Sequence, residues 1–391
     1  MHTSELTPAV LRELRRERKY PAVSLLMPTH RHRPETAQDP IRLRNLLVEA
    51  KKRIVEDPKV DRSLRLDLEG QLDQAAAQVD FEHSGDGLLI LVAPGEHHNW
   101  LLSSPSPVPD RLVVADTFLT RNLVAARIYA RPYWVLVISE DATHLWEGSG
   151  EDLEPADTLD LGFPLEPEIP DPQDAIPGAN FGNRPSPLRE ERLRQYLRTV
   201  DTALGRALEY ERRPVFLVGV HTTLALFDAV SEHSIEFAGR VAQAGLDKAS
   251  AHVLAERLRP ALEAHMARLD AEALDRLSQA RGQRRFAGGL AEVWEAVGQG
   301  RGTLLLVEEH YQVVARIAGD HLTVMEDDGS ALAGSAGGDA EGSGPLARMG
   351  PPEEDVVDQL VEMALDMETE VRFVPDGSLA DDGQVALVLR Y

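Results

Sequence analysis

The residues best placed to reach a ligand lie between Pro177 and Tyr210. The segment opens as P-G-A-N-F-G-N-R-P-S-P, where Asn180, Gly182 and Asn183 accept irregular backbone and the prolines discourage helix. It then turns helical at once: Ser186 is placed to cap, Pro187 falls at the first helical position, and Glu190 and Glu191 face the positive end of the dipole. Leu193, Tyr196, Leu197, Val200, Leu204, Ala207 and Leu208 recur at helical spacing and predict one buried face. Arg184 in the loop, and Arg194 and Arg198 one turn apart on the helix, are cations beside that face.

A second set of cations surrounds T-H-R-H-R-P near the front of the chain. Leu11 to Arg53 holds 12 basic and 5 acidic side chains, although the whole chain carries a net charge of −24. Arg31, Arg33, Arg42, Arg44, Lys51 and Lys52 are suited to the phosphate contacts that dominate nucleic-acid binding, or they form a solvated helix face; both readings stand. His30 and His32, with His97 and His98, have side-chain types that bind metals, but polar loops are the better reading and no metal site is expected.

Other chemistry finds little support. The chain has no cysteine, so disulfides, thiolate metal sites and cysteine nucleophiles are excluded. No G-x-S-x-G or H-E-x-x-H occurs, and G-Q-G-R at 298–301 lacks the Lys-Ser/Thr of a phosphate loop, so no cofactor is expected. Asp116, Asp141 and Asp228 are possible Mg²⁺ ligands, but nothing sets them apart from the other 62 carboxylates among 65. No run of roughly 20 apolar residues is present and the opening is polar, so a cytoplasmic location without membrane contact is expected.

The elements that must carry these residues fall into three parts. In 1–118, an α/β domain is expected from a helix over 5–19, a buried strand Ala22–Pro28, a helix opened by Asp39-Pro40, a second helix near 61–79, and three later strands. Ile41, Leu46, Leu47, Ala50 and Ile54 are expected to supply the core face of the first long helix. In 119–248, W-V-L-V-I-S and T-H-L-W-E-G read as a hairpin, and the strand Pro214–Val220 and helix His221–Val230 predict a layered, largely parallel α/β domain. Between Glu147 and Gly178 lie ten acidic residues and no basic ones, read as a solvated excursion without a core of its own. In 249–391, a long helix leads to strands and helices around a Gly-, Ser- and Ala-rich stretch at 328–352, read as a mobile loop. Residues 321–391 hold 16 acidic and 3 basic side chains, a surface suited to a basic protein partner.

In combination these pieces resemble the bacterial branch of the archaeo-eukaryotic peptide-chain release factor superfamily, which includes Pelota. The likeness is carried by P-A-V-S-L-L-M-P-T-H-R with Q-D-P-I-R-L-R-N-L-L, Y-W-V-L-V-I-S with T-H-L-W-E-G, G-N-R-P-S-P-L-R-E-E-R-L-R-Q-Y-L-R-T-V-D, F-A-G-G-L-A-E-V-W-E-A-V-G-Q-G-R-G-T-L-L-L-V and the terminal V-A-L-V-L-R-Y. It implies three domains: one facing the decoding region, a ribonuclease-H-like middle domain, and a C-terminal domain like the ribosomal protein that binds kinked RNA. Active members of the superfamily carry Gly-Gly-Gln in the middle-domain loop, where the glutamine positions water. No Gly-Gly-Gln occurs here, and the corresponding loop reads Asn180-Phe181-Gly182-Asn183-Arg184. The resemblance therefore implies a cytoplasmic, ribosome-associated factor of stress, rescue or hibernation type that docks in the A site without hydrolysis. Its partners would be the ribosome or its RNA, with a GTPase or other protein at the acidic C-terminal domain. A peptidyl-tRNA hydrolase, a Mg²⁺-dependent nuclease and an acidic protein-interaction module are the alternatives.

Overall fold

The computed structural model describes residues 6–16, 18–30, 35–81, 85–103, 108–156, 161–167, 187–232, 235–313, 315–318, 321–324 and 356–391. The expected loop at 328–352 lies outside them.

The front of the chain forms a four-stranded antiparallel sheet with two long helices on one face. Its elements are α1 (Pro8–Leu14), β1 (Ala22–Pro28), α2 (Asp39–Glu56), α3 (Arg62–Ala77), β2 (Gly87–Ala93), β3 (Glu96–Leu102) and β4 (Arg111–Ala115), followed by α4 (Arg121–Tyr129). The strand order is β3-β2-β1-β4, with β1 central and paired to β2 from Val23↔Val92 to Pro28↔Gly87. Both faces of β1 and β2 are buried, which is why they read as continuous apolar runs rather than alternating ones. Val23, Leu25 and Met27 meet Leu43, Ala50, Ile54, Leu68 and Leu72 of α2 and α3, while Leu26, Leu89 and Leu91 look the other way.

Two expectations for this part are corrected. The first helix is shorter than 5–19: Thr7 accepts the N–H of Val10 and Pro8 starts the helix, which ends at Leu14. Ile41 is 59% exposed and is not a core residue; Leu43, two positions on, is buried in its place. On a helix, Leu43, Ala50 and Ile54 share one side, and Ile41 falls nearly opposite them. Asp39 opens α2 without capping it: its buried carboxylate accepts the N–H of His30 at 2.9 Å and sits 2.8 Å from the His30 ring.

The middle of the chain contains β5 (Pro132–Ile138), β6 (Thr143–Ser149), β7 (Asp152–Pro155), α5 (Pro187–Tyr210), β8 (Val215–Gly219), α6 (His221–Val230) and β9 (Phe237–Ala242). The sheet order is β7-β6-β5-β8-β9; β5, β8 and β9 are parallel, while β6 and β7 fold back antiparallel. The sheet is therefore mixed rather than largely parallel, because two of its four strand pairings, β7 with β6 and β6 with β5, are antiparallel. The acidic stretch after Glu147 is not bare of a core either. It extends the sheet as β7, and Leu153, Ala156, Leu161 and Phe163 are buried. Net acidity hid the few apolar residues that anchor it.

The remaining elements are α7 (Ala251–Gly282), β10 (Phe286–Gly288), α8 (Leu290–Gly298), β11 (Gly302–Glu308), the hairpin strands β12 (Ala315–Ala318) and β13 (His321–Val324), α9 (Val356–Asp366), β14 (Glu370–Val374) and β15 (Val385–Leu389). The main sheet runs β10-β15-β11-β14, with β11 parallel to β14. Gly289, at φ +77°, makes the turn into α8 that a side chain would strain.

The chain divides into two compact units, one formed by 131–268 and the other by 1–130 together with 269–391. In the second, the front sheet and the last sheet each keep their own strands but share a core. Leu26, Leu89, Trp100, Phe118 and Leu123 belong to one apolar cluster with Val357, Leu360, Val361 and Ala364 of α9. Among the described residues no helix is long and apolar enough to cross a membrane.

Candidate functional site

Helix α5 starts at Pro187, and Tyr196, Leu197, Val200, Leu204 and Ala207 are buried on the face its spacing predicts. The loop residues Asn180, Gly182, Asn183 and Arg184 lie outside the described residues, but the two ends of the segment that contains them are defined. On one side Leu165 forms a two-way backbone bridge with Thr143 of β6, at 2.8 and 2.9 Å. On the other, the Tyr196 hydroxyl is 2.7 Å from the Thr143 hydroxyl and donates to the Leu165 carbonyl at 2.9 Å. One phenol on α5 thus ties together β6, the chain entering the segment and the helix leaving it. Burial pushes this phenol up to about 12, so it stays neutral and available as a donor. Spacing alone places Tyr196 in the apolar stripe; the signal for more is that tyrosine, unlike its leucine neighbours, carries a hydroxyl that needs a partner when buried.

The helix cations are not free. Arg194 pairs with Glu190 at 2.6 Å and approaches Glu191 at 3.6 Å, and Arg198 also lies 3.6 Å from Glu191. Beyond facing the helix dipole, both acids therefore have a second task, neutralising this flank. At the far end of α5, Arg213 lies 4.4 Å over the Trp134 ring and pairs with Glu147 and Glu211, a clamp that no local sequence pattern reveals.

In the front part, Arg31 and Arg33 lie outside the described residues, as does His32. Arg42 is half-buried and Arg44 exposed, and neither has an ion-pair partner among the described residues. Lys51 is held by Asp73 at 2.6 Å, and Lys52 lies 3.9 Å from Glu56. Among the described residues the set therefore separates into two arginines without an ion pair and two lysines already engaged. His30 is taken up by Asp39, His97 by Gln71 at 2.6 Å and His98 by Glu96 at 3.3 Å. Among the described residues no three His, Asp or Glu side chains gather as metal ligands. Asp228 makes two hydrogen bonds to Arg240, and Asp141 lies 3.6 Å from Lys248.

A carboxylate pair without any signal in the sequence, Asp358 buried and Glu362 half-buried, lies at the shared core. Asp358 of α9 accepts the N–H of Thr120 at 3.2 and 3.1 Å and that of Arg121 at 2.5 Å, so it caps α4 from another part of the chain. One turn along, Glu362 meets the Thr120 hydroxyl at 2.6 Å. Burial, reinforced by the negative charge of Asp358, raises Glu362 to about 8. Arg15 then donates to the Glu362 carbonyl and pairs with Asp366 at 2.6 Å.

The middle of the chain thus sets a mixed five-stranded sheet against helix α5. Residues 132–301 match the bacterial archaeo-eukaryotic release factor family 3, a stretch that takes in β5 to α8 and is shorter than half the chain. No curated protein matches the chain. Among solved structures, an archaeal translation termination factor is 17% identical, covering 100% of this chain and 99% of its own with a TM-score of 0.24. Pelota of Archaeoglobus fulgidus is 16% identical over 78% and 79% at 0.36, and ribosome-bound archaeal Pelota, in a complex with ABCE1, is 15% identical over 78% and 78% at 0.42. The likeness to a known family therefore rests on the match over 132–301.

Proposed function

We propose that the protein is a cytoplasmic, ribosome-associated translation factor that docks in the tRNA-binding A site and does not cleave peptidyl-tRNA, in a stress, rescue or hibernation role. The observation that carries this reading is the family match over 132–301, joined to the absence of Gly-Gly-Gln anywhere in the chain. The strand order of the middle sheet, a three-stranded antiparallel meander continued by two parallel strands, supports its ribonuclease-H-like assignment. A three-part division at 1–118, 119–248 and 249–391, with a kink-turn-binding type of C-terminal domain, belongs to the same proposal. Asn180, Gly182, Asn183 and Arg184 form the tip on this reading, and the Tyr196 tie fixes its base.

Contacts to ribosomal RNA are assigned to phosphate, from Arg31, Arg33, Arg42 and Arg44, with Lys51 and Lys52 contributing where phosphate displaces Asp73 and Glu56. Arg194 and Arg198 must likewise exchange Glu190 and Glu191 for phosphate. The acidic C-terminal part suits a GTPase or other protein partner. Co-sedimentation with ribosomes tests the reading: the protein pellets with them at low salt, salt weakens binding, and the double variant Arg31→Glu, Arg33→Glu stays in the supernatant. Failure to pellet at low salt overturns docking. Release of peptide from ribosome complexes that is lost on Asn183→Ala overturns the non-hydrolytic part.

A further inference from the structure

Four of the eight large apolar side chains exposed among the described residues lie on α2 and α3: Ile41 at 59%, Val48 at 65%, Val55 at 46% and Leu66 at 60%. Three of them, Ile41, Val48 and Val55, stand seven residues apart on α2. Seven residues fall about 20° short of two full helical turns, so they form one nearly straight stripe, about 21 Å long at 1.5 Å per residue. Leu43, Ala50 and Ile54 face the sheet, so this stripe lies on the opposite, outermost side of α2, where none of the described residues of its own unit covers it. The Arg65 guanidinium donates to the Val55 carbonyl at 3.1 Å, which brings the start of α3, and with it Leu66, beside the end of the stripe.

Charges of both signs border the stripe, the acids Glu49 and Glu56 lying 3.2 Å from Arg53 and 3.9 Å from Lys52. Arg44 is exposed and has no ion-pair partner among the described residues, and Lys52, in line with the valines, has only the 3.9 Å approach of Glu56. Lys51 and Arg53 are spent on Asp73 and Glu49. We infer that the outer face of α2 is a docking seam for an amphipathic, acidic helix of a partner protein, laid lengthwise along Ile41, Val48 and Val55 with its carboxylates toward Arg44 and Lys52. The seven-residue spacing keeps the three β-branched side chains in one line, along which a helix packed at a shallow angle can lie. A second copy of this chain fits less well, since the two-fold pairing of one stripe with itself sets Arg44 and Lys52 of each copy against like charges. RNA fits less well too: phosphate satisfies Arg44 but leaves the apolar stripe uncovered, and α2 has no aromatic side chain for a base to stack on. The inference goes beyond the ribosome-docking proposal and does not depend on it; Arg44 and Lys52 serve either the partner helix or RNA phosphate, not both at once.

The test uses the full chain and a labelled synthetic helix of roughly three heptads, with leucine at a and d and glutamate at e and g. A second peptide has lysine in place of the glutamates. Fluorescence anisotropy is expected to give binding to the acidic peptide at least tenfold tighter than to the basic one. Val48→Glu weakens the acidic peptide at least tenfold and leaves circular dichroism unchanged, since Val48 is 65% exposed; Arg44→Glu weakens it less, and more so at low salt. Any of four results overturns the inference: no binding of the acidic peptide, equal binding of both peptides, capture of a duplex RNA that Val48→Glu abolishes, or sedimentation of the free chain as a dimer that Val48→Glu dissociates.

Discussion

Glu362 and Asp358 decide how the shared core responds to pH. Glu362 sits about one helical turn from a carboxylate already committed to the N–H groups of Thr120 and Arg121, and burial holds it protonated up to about 8. In the unfolded chain it titrates in the ordinary glutamate range, so between that range and pH 8 the folded state binds the extra proton. Its contribution is fully present at acidic pH and is lost as pH rises through about 8. Urea unfolding from pH 5 to pH 9 is expected to show a decline that Glu362→Gln flattens. Asp358→Ala removes the cap of α4 and leaves two buried N–H groups unpaired, at a cost of about 1–3 kcal/mol; it also brings the Glu362 titration down, because the neighbouring charge is gone. In the other unit, Tyr196→Phe keeps the ring but drops the donor to Leu165, and denaturant titration is expected to register a loss of about 1 kcal/mol.

Among the elements, α2 and α5 show opposite relations between sequence and surface. On α5 the arginines answer to glutamates one turn away, so Arg194→Ala or Arg198→Ala is expected to change stability by no more than about 0.5 kcal/mol, as exposed pairs within a helix do. Leu197→Ala, deep under the same helix, is expected to cost about 2–5 kcal/mol. On α2 the apolar residues divide between two faces, and the same denaturant measurement separates them: Leu43→Ala loses about 2–5 kcal/mol while Ile41→Ala stays near zero.

For the whole molecule, one core serves the first and last sheets. Truncating Leu360 on α9, fully buried in a cluster with Trp100 and Leu123, is expected to lower hydrogen-exchange protection in β2, β3 and β11 together. Protection in β5 and β8, which belong to the other unit, is expected to stay unchanged. Loss confined to the last sheet would mean that the two sheets open separately.

Strands β1, β5, β8 and β15 and helices α5 and α6 could be read from the sequence because each is a local statement: an apolar run between prolines or glycines, or a stripe at helical spacing with a capped start. The release-factor likeness was legible for the same reason, as an order of such segments. What a local pattern cannot contain is the partner on the other side. Ile41 looks like a core residue until the sheet beneath α2 fixes which face is inward. The pairing of Arg194 with Glu190, four residues back on the same helix, is by contrast a local matter that helical spacing alone allows. Asp358 looks like one acid among 65 until folding sets it against the amides of Thr120 and Arg121, 237 residues away in the chain. Sequence determined the elements, because backbone propensity and periodicity act within a few residues; only the tertiary structure decided burial, pairing and charge, because those depend on groups that the chain brings together from far apart.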